Sequence, residues 1–331
     1  MAEELSDGDE FEAGGLAYKV TSVAAREASL IGYSVSPAKL AVPDTVSHGG
    51  VSFRVTSIGA GAFKNCDTLT SVDLGLVIEV GDQAFYGCGS LSSIDLSAVE
   101  TIGFKAFPNA ALVESLTIPS SVSSIGGYAF FGLQSLTSLT ILTDTDSIGG
   151  GAFSGCPSLN SFKGIHPGIV DGAMLVVDGK VVSSAAGPGI SGVSIPDGVS
   201  AIEGGVFSGN SYLTRVIMPD TVTALGQYAF YNCHALSDVV MSSSLESGQQ
   251  ERLPWNFVLR LRRGNQARRR CSLAGRRAFR PRRRKAGAHG RSRRRRRLHA
   301  VRNQVHGDVL GSVHGLHHRI LRAGGVLDRA R

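Results

Sequence analysis

The chain has 331 residues and a net charge of +7, but the charge is divided unevenly along it. Residues 1–247 contain 9 Lys and Arg against 24 Asp and Glu, whereas residues 248–331 contain 25 against 3. An acidic body is therefore joined to a basic tail, and each needs its own interpretation. No run of 18 apolar residues occurs, so the composition supports no transmembrane helix.

Taken in order, the chain begins with a polar, acidic stretch, and we expect disorder over residues 1–14. This stretch does not resemble a signal peptide and is typical of the first residues of a mature secreted protein, which predicts an extracellular or cell-surface location. Residues 15–56 then show short segments that alternate between apolar and polar positions, as at Tyr18 and Val20. We interpret them as an N-terminal β cap, because a solenoid needs an atypical unit to cover its first coil.

A repeat occupies residues 57–247, and it is marked by an Ile-Gly-x-x-Ala-Phe element. Successive repeat phenylalanines are separated by 22, 22, 23, 23, 54 and 23 residues. They are Phe63, Phe85, Phe107, Phe130, Phe153, Phe207 and Phe230. A fixed period in the twenties predicts a leucine-rich-repeat type of β-solenoid, here with about seven coils and short parallel strands. The glycine is expected to permit a tight bend, and Ala-Phe-x-x-Cys is expected to form one helical or 3₁₀ turn.

Each coil carries its apolar residues at fixed distances from the phenylalanine. Cysteines stand three residues after it in four coils, at Cys66, Cys88, Cys156 and Cys233. Because this position faces the coil interior, we expect buried structural thiols, although Cys66 and Cys88 in neighbouring coils could also pair. Apolar residues nine and eleven positions after the phenylalanine alternate with polar ones, which predicts one short strand in each coil.

The 54-residue step contains an insertion of about 31 residues, predicted at 165–194. Two β-rich runs flank Asp178-Gly179 within it, and this dipeptide is a strong signal for a β-hairpin.

After residue 247 the repeat breaks in the middle of a coil, and the tail contains 24 Arg but a single Lys. Disordered or frame-shifted sequence is our interpretation of residues 248–331. The alternative is that the Arg-rich tail binds nucleic acid through its charge.

The repeated element, Leu-Thr-Ser-Val-x-Ile-Pro-x-Ser-Val-Thr-x-Ile-Gly-x-x-Ala-Phe-x-x-Cys, resembles that of the BspA-type leucine-rich repeat family of bacterial and protist surface proteins. It is matched most fully at residues 116–133 and 216–233, and the likeness covers about residues 15–247. The resemblance implies a secreted or surface-displayed, non-enzymatic module for adhesion or interaction. Its implied partners are proteins or glycans, including proteins of a host extracellular matrix.

The candidate ligand-binding face is the outward row of the strand ladder, because solenoids bind partners over such extended surfaces. Its members are Asp73, Asp95, Thr117, Thr140, Lys163, Arg215 and Ile217. No catalytic, cofactor or metal residue is predicted. The histidines are scattered, no C-x-x-C pair occurs, and Gly149-Gly150-Gly151 lacks the Lys-Ser/Thr of a phosphate-binding loop.

Overall fold

The structure is a computed structural model that describes residues 6–246 and 258–261. They form a β-solenoid of about nine turns, with no helix among the described residues. The predicted solenoid is confirmed, but the predicted number of about seven coils is too low. The count from the repeat phenylalanines omitted the rungs contributed by the cap, the insertion and residues 258–261.

The described chain contains 23 short strands. They are β1 (Glu10–Ala13), β2 (Leu16–Ser22), β3 (Glu27–Tyr33), β4 (Lys39–Ala41), β5 (Thr45–His48), β6 (Val51–Ile58), β7 (Ser71–Asp73), β8 (Glu79–Val80), β9 (Ser93–Asp95), β10 (Thr101–Ile102), β11 (Ser115–Ile118), β12 (Ser124–Ile125), β13 (Ser138–Ile141), β14 (Phe162–Gly164), β15 (Ile169–Val170), β16 (Met174–Val177), β17 (Lys180–Ser184), β18 (Gly192–Ser194), β19 (Ala201–Ile202), β20 (Arg215–Ile217), β21 (Ala224–Leu225), β22 (Asp238–Met241) and β23 (Val258–Leu261).

Strands β1 to β6 supply the N-terminal cap. β1, β2 and β3 pair antiparallel in that order, and β3 then pairs in parallel with β6. The prediction that residues 1–14 are disordered is wrong for Glu10–Ala13, which form β1. Phe11 in this strand is buried and stacks on Tyr18 with ring centroids 5.5 Å apart. Strand β4 pairs in parallel with β7, so it is also the first rung of the solenoid.

Two strand ladders run along the solenoid. We term the strands that follow the repeat phenylalanines, together with the strands that pair with them, the first ladder. These strands form three parallel sheets in the orders β4-β7-β9, β11-β13-β14 and β18-β20-β22-β23. The second ladder precedes each Ile-Gly turn and consists of β6, β8, β10 and β12, continued by β17, β19 and β21 after a bridge between Ile125 and Ile148. Each rung turns one set of apolar side chains inward and leaves its alternate residues in solvent.

The repeat phenylalanines form the centre of the core, and all seven are 0% exposed. The rings of Phe107 and Phe130 lie 5.4 Å apart and those of Phe130 and Phe153 lie 5.5 Å apart, each pair within 4° of parallel. Their backbones also join the coils, as where the Phe130 N–H donates to the Ala152 carbonyl at 2.8 Å. The expected helical or 3₁₀ segments at these positions are chains of hydrogen-bonded turns.

The repeat glycine serves the close stacking of neighbouring coils, a role that the sequence interpretation did not give it. A Cβ added to Gly126 would lie 2.5 Å from the backbone of Gly103 and Phe104 in the preceding coil. Positive φ falls instead two residues before and two after the phenylalanine, at Tyr128 (57°) and Gly132 (76°). The glycine is therefore required because neighbouring coils touch backbone to backbone.

The insertion folds as the predicted hairpin, with β16 and β17 antiparallel around Asp178 and Gly179. Both turn residues have positive φ, 49° and 67°, as a two-residue type I′ turn requires. The hairpin is also part of the solenoid, because β17 pairs in parallel with β19. The hairpin interrupts the series of backbone hydrogen bonds between repeat phenylalanines and the next coil. The Phe153 N–H donates instead to the buried Ser183 Oγ at 3.2 Å.

At the C-terminal end, β23 pairs in parallel with β22 over four residues, from Asp238 with Val258 to Met241 with Leu261. This strand lies inside the segment that the sequence assigned to the tail. The three long Arg runs of that tail lie outside the described residues. Binding of nucleic acid by the tail therefore stays a prediction.

Candidate ligand-binding face

The seven residues predicted from the repeat all lie on the outward side of the first ladder, and each is exposed or half-exposed. Strand register places Asp73 opposite Asp95, and Thr117, Thr140 and Lys163 side by side on three successive rungs. Neighbouring strands are about 4.8 Å apart, so these side chains form closely spaced rows. Their local roles differ along the face.

The acidic members of the face stabilise local turns. Asp73 Oδ1 accepts a hydrogen bond from the Gly75 N–H at 3.0 Å, and Asp95 Oδ1 accepts one from the Ser97 N–H at 2.9 Å. An Asp side chain that bonds the backbone two residues ahead mimics a turn and ends the strand. A structural role therefore accounts for both carboxylates.

At the other end of the face, Arg215 lies opposite Asp238 in the ladder, and its Nε lies 3.4 Å from Asp238 Oδ2. The Arg215 side chain is half-exposed, so this ion pair adds little stability but holds the guanidinium along the rung. Ile217 lies two residues further along the same strand, half-exposed between Ser194 and Val240 on the adjoining rungs.

An apolar patch lies in the middle of the face, and the sequence analysis missed it. Leu142 and Ile165 directly follow β13 and β14 on neighbouring rungs, and they are 37% and 69% exposed. Both continue the outward alternation of the strands beyond Thr140 and Lys163. We term Thr140, Leu142, Lys163 and Ile165 the central patch. The sequence comparison of the coils ended eleven residues after each phenylalanine. A comparison that included the next residue would have found Leu142 and Ile165.

The four repeat cysteines lie inside the solenoid, as predicted, and all four are free thiols. Cys88 Sγ donates to the Phe63 carbonyl at 3.1 Å, and Cys233 Sγ donates to the Phe207 carbonyl at 2.9 Å, so each thiol bonds the preceding coil. Burial raises the pKa of Cys88, Cys156 and Cys233 to about 12. Because the thiolate is the reactive form, these cysteines have a structural role.

His166 and His48 likewise have structural surroundings. His166 is buried; its Nδ1 accepts from the Gly168 N–H at 2.9 Å, and its Nε2 lies 3.1 Å from the Thr145 carbonyl. His48 stacks on Phe11 with ring centroids 4.3 Å apart. Within residues 6–246, no group of three or more His, Cys, Asp and Glu side chains is arranged to hold a metal ion. The same part of the chain has no helix long and apolar enough to cross a membrane.

The sequence profile of the BspA type leucine-rich repeat region matches six copies in this chain, over residues 50–160 and 186–253. These ranges cover slightly more than half of the 331 residues and follow the two parts of the solenoid on either side of the hairpin. The chain belongs to the BspA-type leucine-rich repeat family. The match also extends six residues beyond the predicted end of the repeat at 247.

Several solved structures resemble the chain over most of its length. The pneumococcal vaccine antigen PcpA is 18% identical, with 73% of this chain and 72% of that chain covered and a TM-score of 0.52, which shows a shared fold. A leucine-rich cell surface protein from Faecalibacterium prausnitzii A2-165 is 25% identical, with 72% and 77% covered and a TM-score of 0.43. A comparison with curated proteins found no match.

Proposed function

We propose that this BspA-type protein is a non-catalytic adhesion module at the cell surface that binds an extracellular protein through its first ladder. Membership in a family that includes surface proteins supports the location. The central patch is the observation that carries the choice of site. It combines an exposed aliphatic pair with a lysine, whereas the residues at the positions of Leu142 and Ile165 in the adjoining coils are Pro119 and Pro196.

The chemistry of the central patch suits a protein partner. Exposed aliphatic side chains that adjoin one another on a solvated surface mark interaction sites more often than scattered ones do. The Lys163 ammonium has no carboxylate within 4.0 Å among the described residues, so it can pair with an acidic group of a partner. Arg215 and Ile217 lie further along the same ladder and extend the contact. A glycan would gain little from the flexible aliphatic chains of Leu142 and Ile165.

The experiment measures binding of residues 1–261 to a panel of immobilised extracellular matrix proteins by surface plasmon resonance. This fragment ends after β23 and excludes the long Arg runs, so the charge of those runs cannot contribute. We expect at least one matrix protein to bind, and the double variant Lys163→Ala with Ile165→Ser to weaken that binding at least tenfold. Lys19→Ala removes an exposed cation from the cap and serves as the matched control.

Two results would contradict the proposal: no matrix protein binds, or the double variant binds as tightly as the parent. Equal urea midpoints for parent and variants will show that the fold is intact. Binding of matrix proteins by the full chain but not by residues 1–261 would instead assign the interaction to the tail.

A further inference from the structure

A second surface, unrelated to the central patch, lies along the second ladder. A groove of about 550 Å³ runs across four successive coils there. Its polar walls come from Ser57, Glu79, Thr101 and Ser124, which occupy the same position on β6, β8, β10 and β12. A neighbouring groove of about 480 Å³ shares Ser124 and Gly126 with it, so the two are continuous. The volume is in the range typical of ligand sites.

The groove offers hydroxyl groups and carboxylates but little positive charge. No Lys, Arg or His lines the larger part, whereas Glu79 and Asp82 do. In the smaller part the one cation, Lys180, lies 3.6 Å from the Glu203 carboxylate. The carboxylates that line the groove disfavour a polyanion such as nucleic acid or an acidic glycan. The donors and acceptors suit a neutral ligand rich in hydroxyl groups.

One wall of the groove carries an aromatic ring that the core does not need. Phe104 is 40% exposed and stands where other coils have Ala60, Asp82, Gly127 or Gln227. Its ring is held in place by neighbours on the same edge. Tyr128 meets it edge-on with centroids 6.1 Å apart, and the Lys105 ammonium lies over one face of the ring, 5.1 Å from its centroid. The Phe104 backbone N–H donates to Asp82 Oδ1 at 2.7 Å, which fixes the backbone of this residue to a groove carboxylate.

We propose that this groove binds a neutral polysaccharide chain, with one pyranose ring stacked on Phe104. Pyranoses have an apolar C–H face that packs against an aromatic ring, and their hydroxyl rim donates hydrogen bonds to carboxylates. Glu79 supplies such an acceptor, because its carboxylate has no hydrogen bond or ion pair among the described residues. The rungs repeat every 4.8 Å or so, which matches the length of one sugar unit in an extended chain.

The test is isothermal titration calorimetry of the full-length protein with neutral tetrasaccharides of glucose, mannose and galactose in several linkages. Tetragalacturonate is the acidic comparison ligand. We expect at least one neutral tetrasaccharide to bind, Phe104→Ala to weaken it at least tenfold, and Glu79→Gln to weaken it about fivefold. Tyr231→Ala removes a 55% exposed ring that is outside the groove and should leave the affinity unchanged.

Three results would overturn the proposal. They are the absence of binding by every neutral tetrasaccharide, tighter binding of tetragalacturonate, or unchanged affinity in both Phe104→Ala and Glu79→Gln. Glu79→Gln is nearly isosteric and tests the groove even if Phe104→Ala unfolds. The variant of Lys163 and Ile165 should retain glycan binding, so failure of the protein-binding site and failure of this groove are separate outcomes.

Discussion

Replacing Phe130 by Ala tests whether the stacked rings hold the solenoid together. Phe130 is 0% exposed and lies between Phe107 and Phe153, at 5.4 and 5.5 Å. Loss of its transfer free energy accounts for about 1.5–3 kcal/mol. The cavity left between two rigid neighbours raises the expected loss to about 3–5 kcal/mol, since coils joined by backbone hydrogen bonds cannot collapse freely.

The free energy of unfolding of residues 1–261 should be measured by urea titration, followed by circular dichroism. Tyr231→Ala is the matched control, because this aromatic residue directly follows a repeat phenylalanine but is 55% exposed. It should change stability by less than about 1 kcal/mol. A loss below about 1 kcal/mol for Phe130→Ala would refute the argument that the ring stack is the main stabilising element.

Two further predictions concern the repeat glycine and the buried thiols. Gly126→Ala should destabilise the protein by about 1–3 kcal/mol, because the new Cβ would lie 2.5 Å from the Gly103 backbone. The control Gly89→Ala, with open space around the new methyl group, should be neutral in the same urea titration. Burial raises the pKa of the Cys156 thiol to about 12 in the folded protein. Between the ordinary thiol pKa of about 8.5 and this value, only the unfolded protein loses the thiol proton. The melting temperature should therefore fall between pH 8 and pH 10.5, and fall less in Cys156→Ala; equal slopes in the two proteins would contradict this cause.

The fold was predictable from sequence where one coil carries all the information. The period of the phenylalanines predicts stacked coils, and Asp178-Gly179 predicts the hairpin because a two-residue turn depends only on its own backbone. The role of Gly126 was not predictable in this way. It depends on the distance to a backbone 23 residues earlier in the chain, which a pattern within one coil does not contain.

Strand β1 was missed for a related reason. Its sequence, Glu-Phe-Glu-Ala, is half acidic, and a single large apolar side chain in a charged stretch is typical of disorder. Phe11 becomes buried only because Tyr18 and His48 from two other strands provide ring faces on which it stacks. The alternation of Glu and apolar residues was the available signal, and its meaning depended on tertiary contacts.

The positions of the candidate face were predicted correctly as outward-facing, but their chemistry was not. The core does not constrain the outward positions, so Ser and Thr at these positions indicate only that the side chains are in solvent. Asp73 has a structural role, because its side chain accepts a hydrogen bond from the turn that follows. The informative residues are those that depart from the repeat without a structural reason. Ile165 is such a departure on the first ladder, and Phe104 is one on the second, since each exposes apolar surface that the core does not use. The two proposed sites follow from the same argument, and variants at these positions should leave folding intact while they change binding.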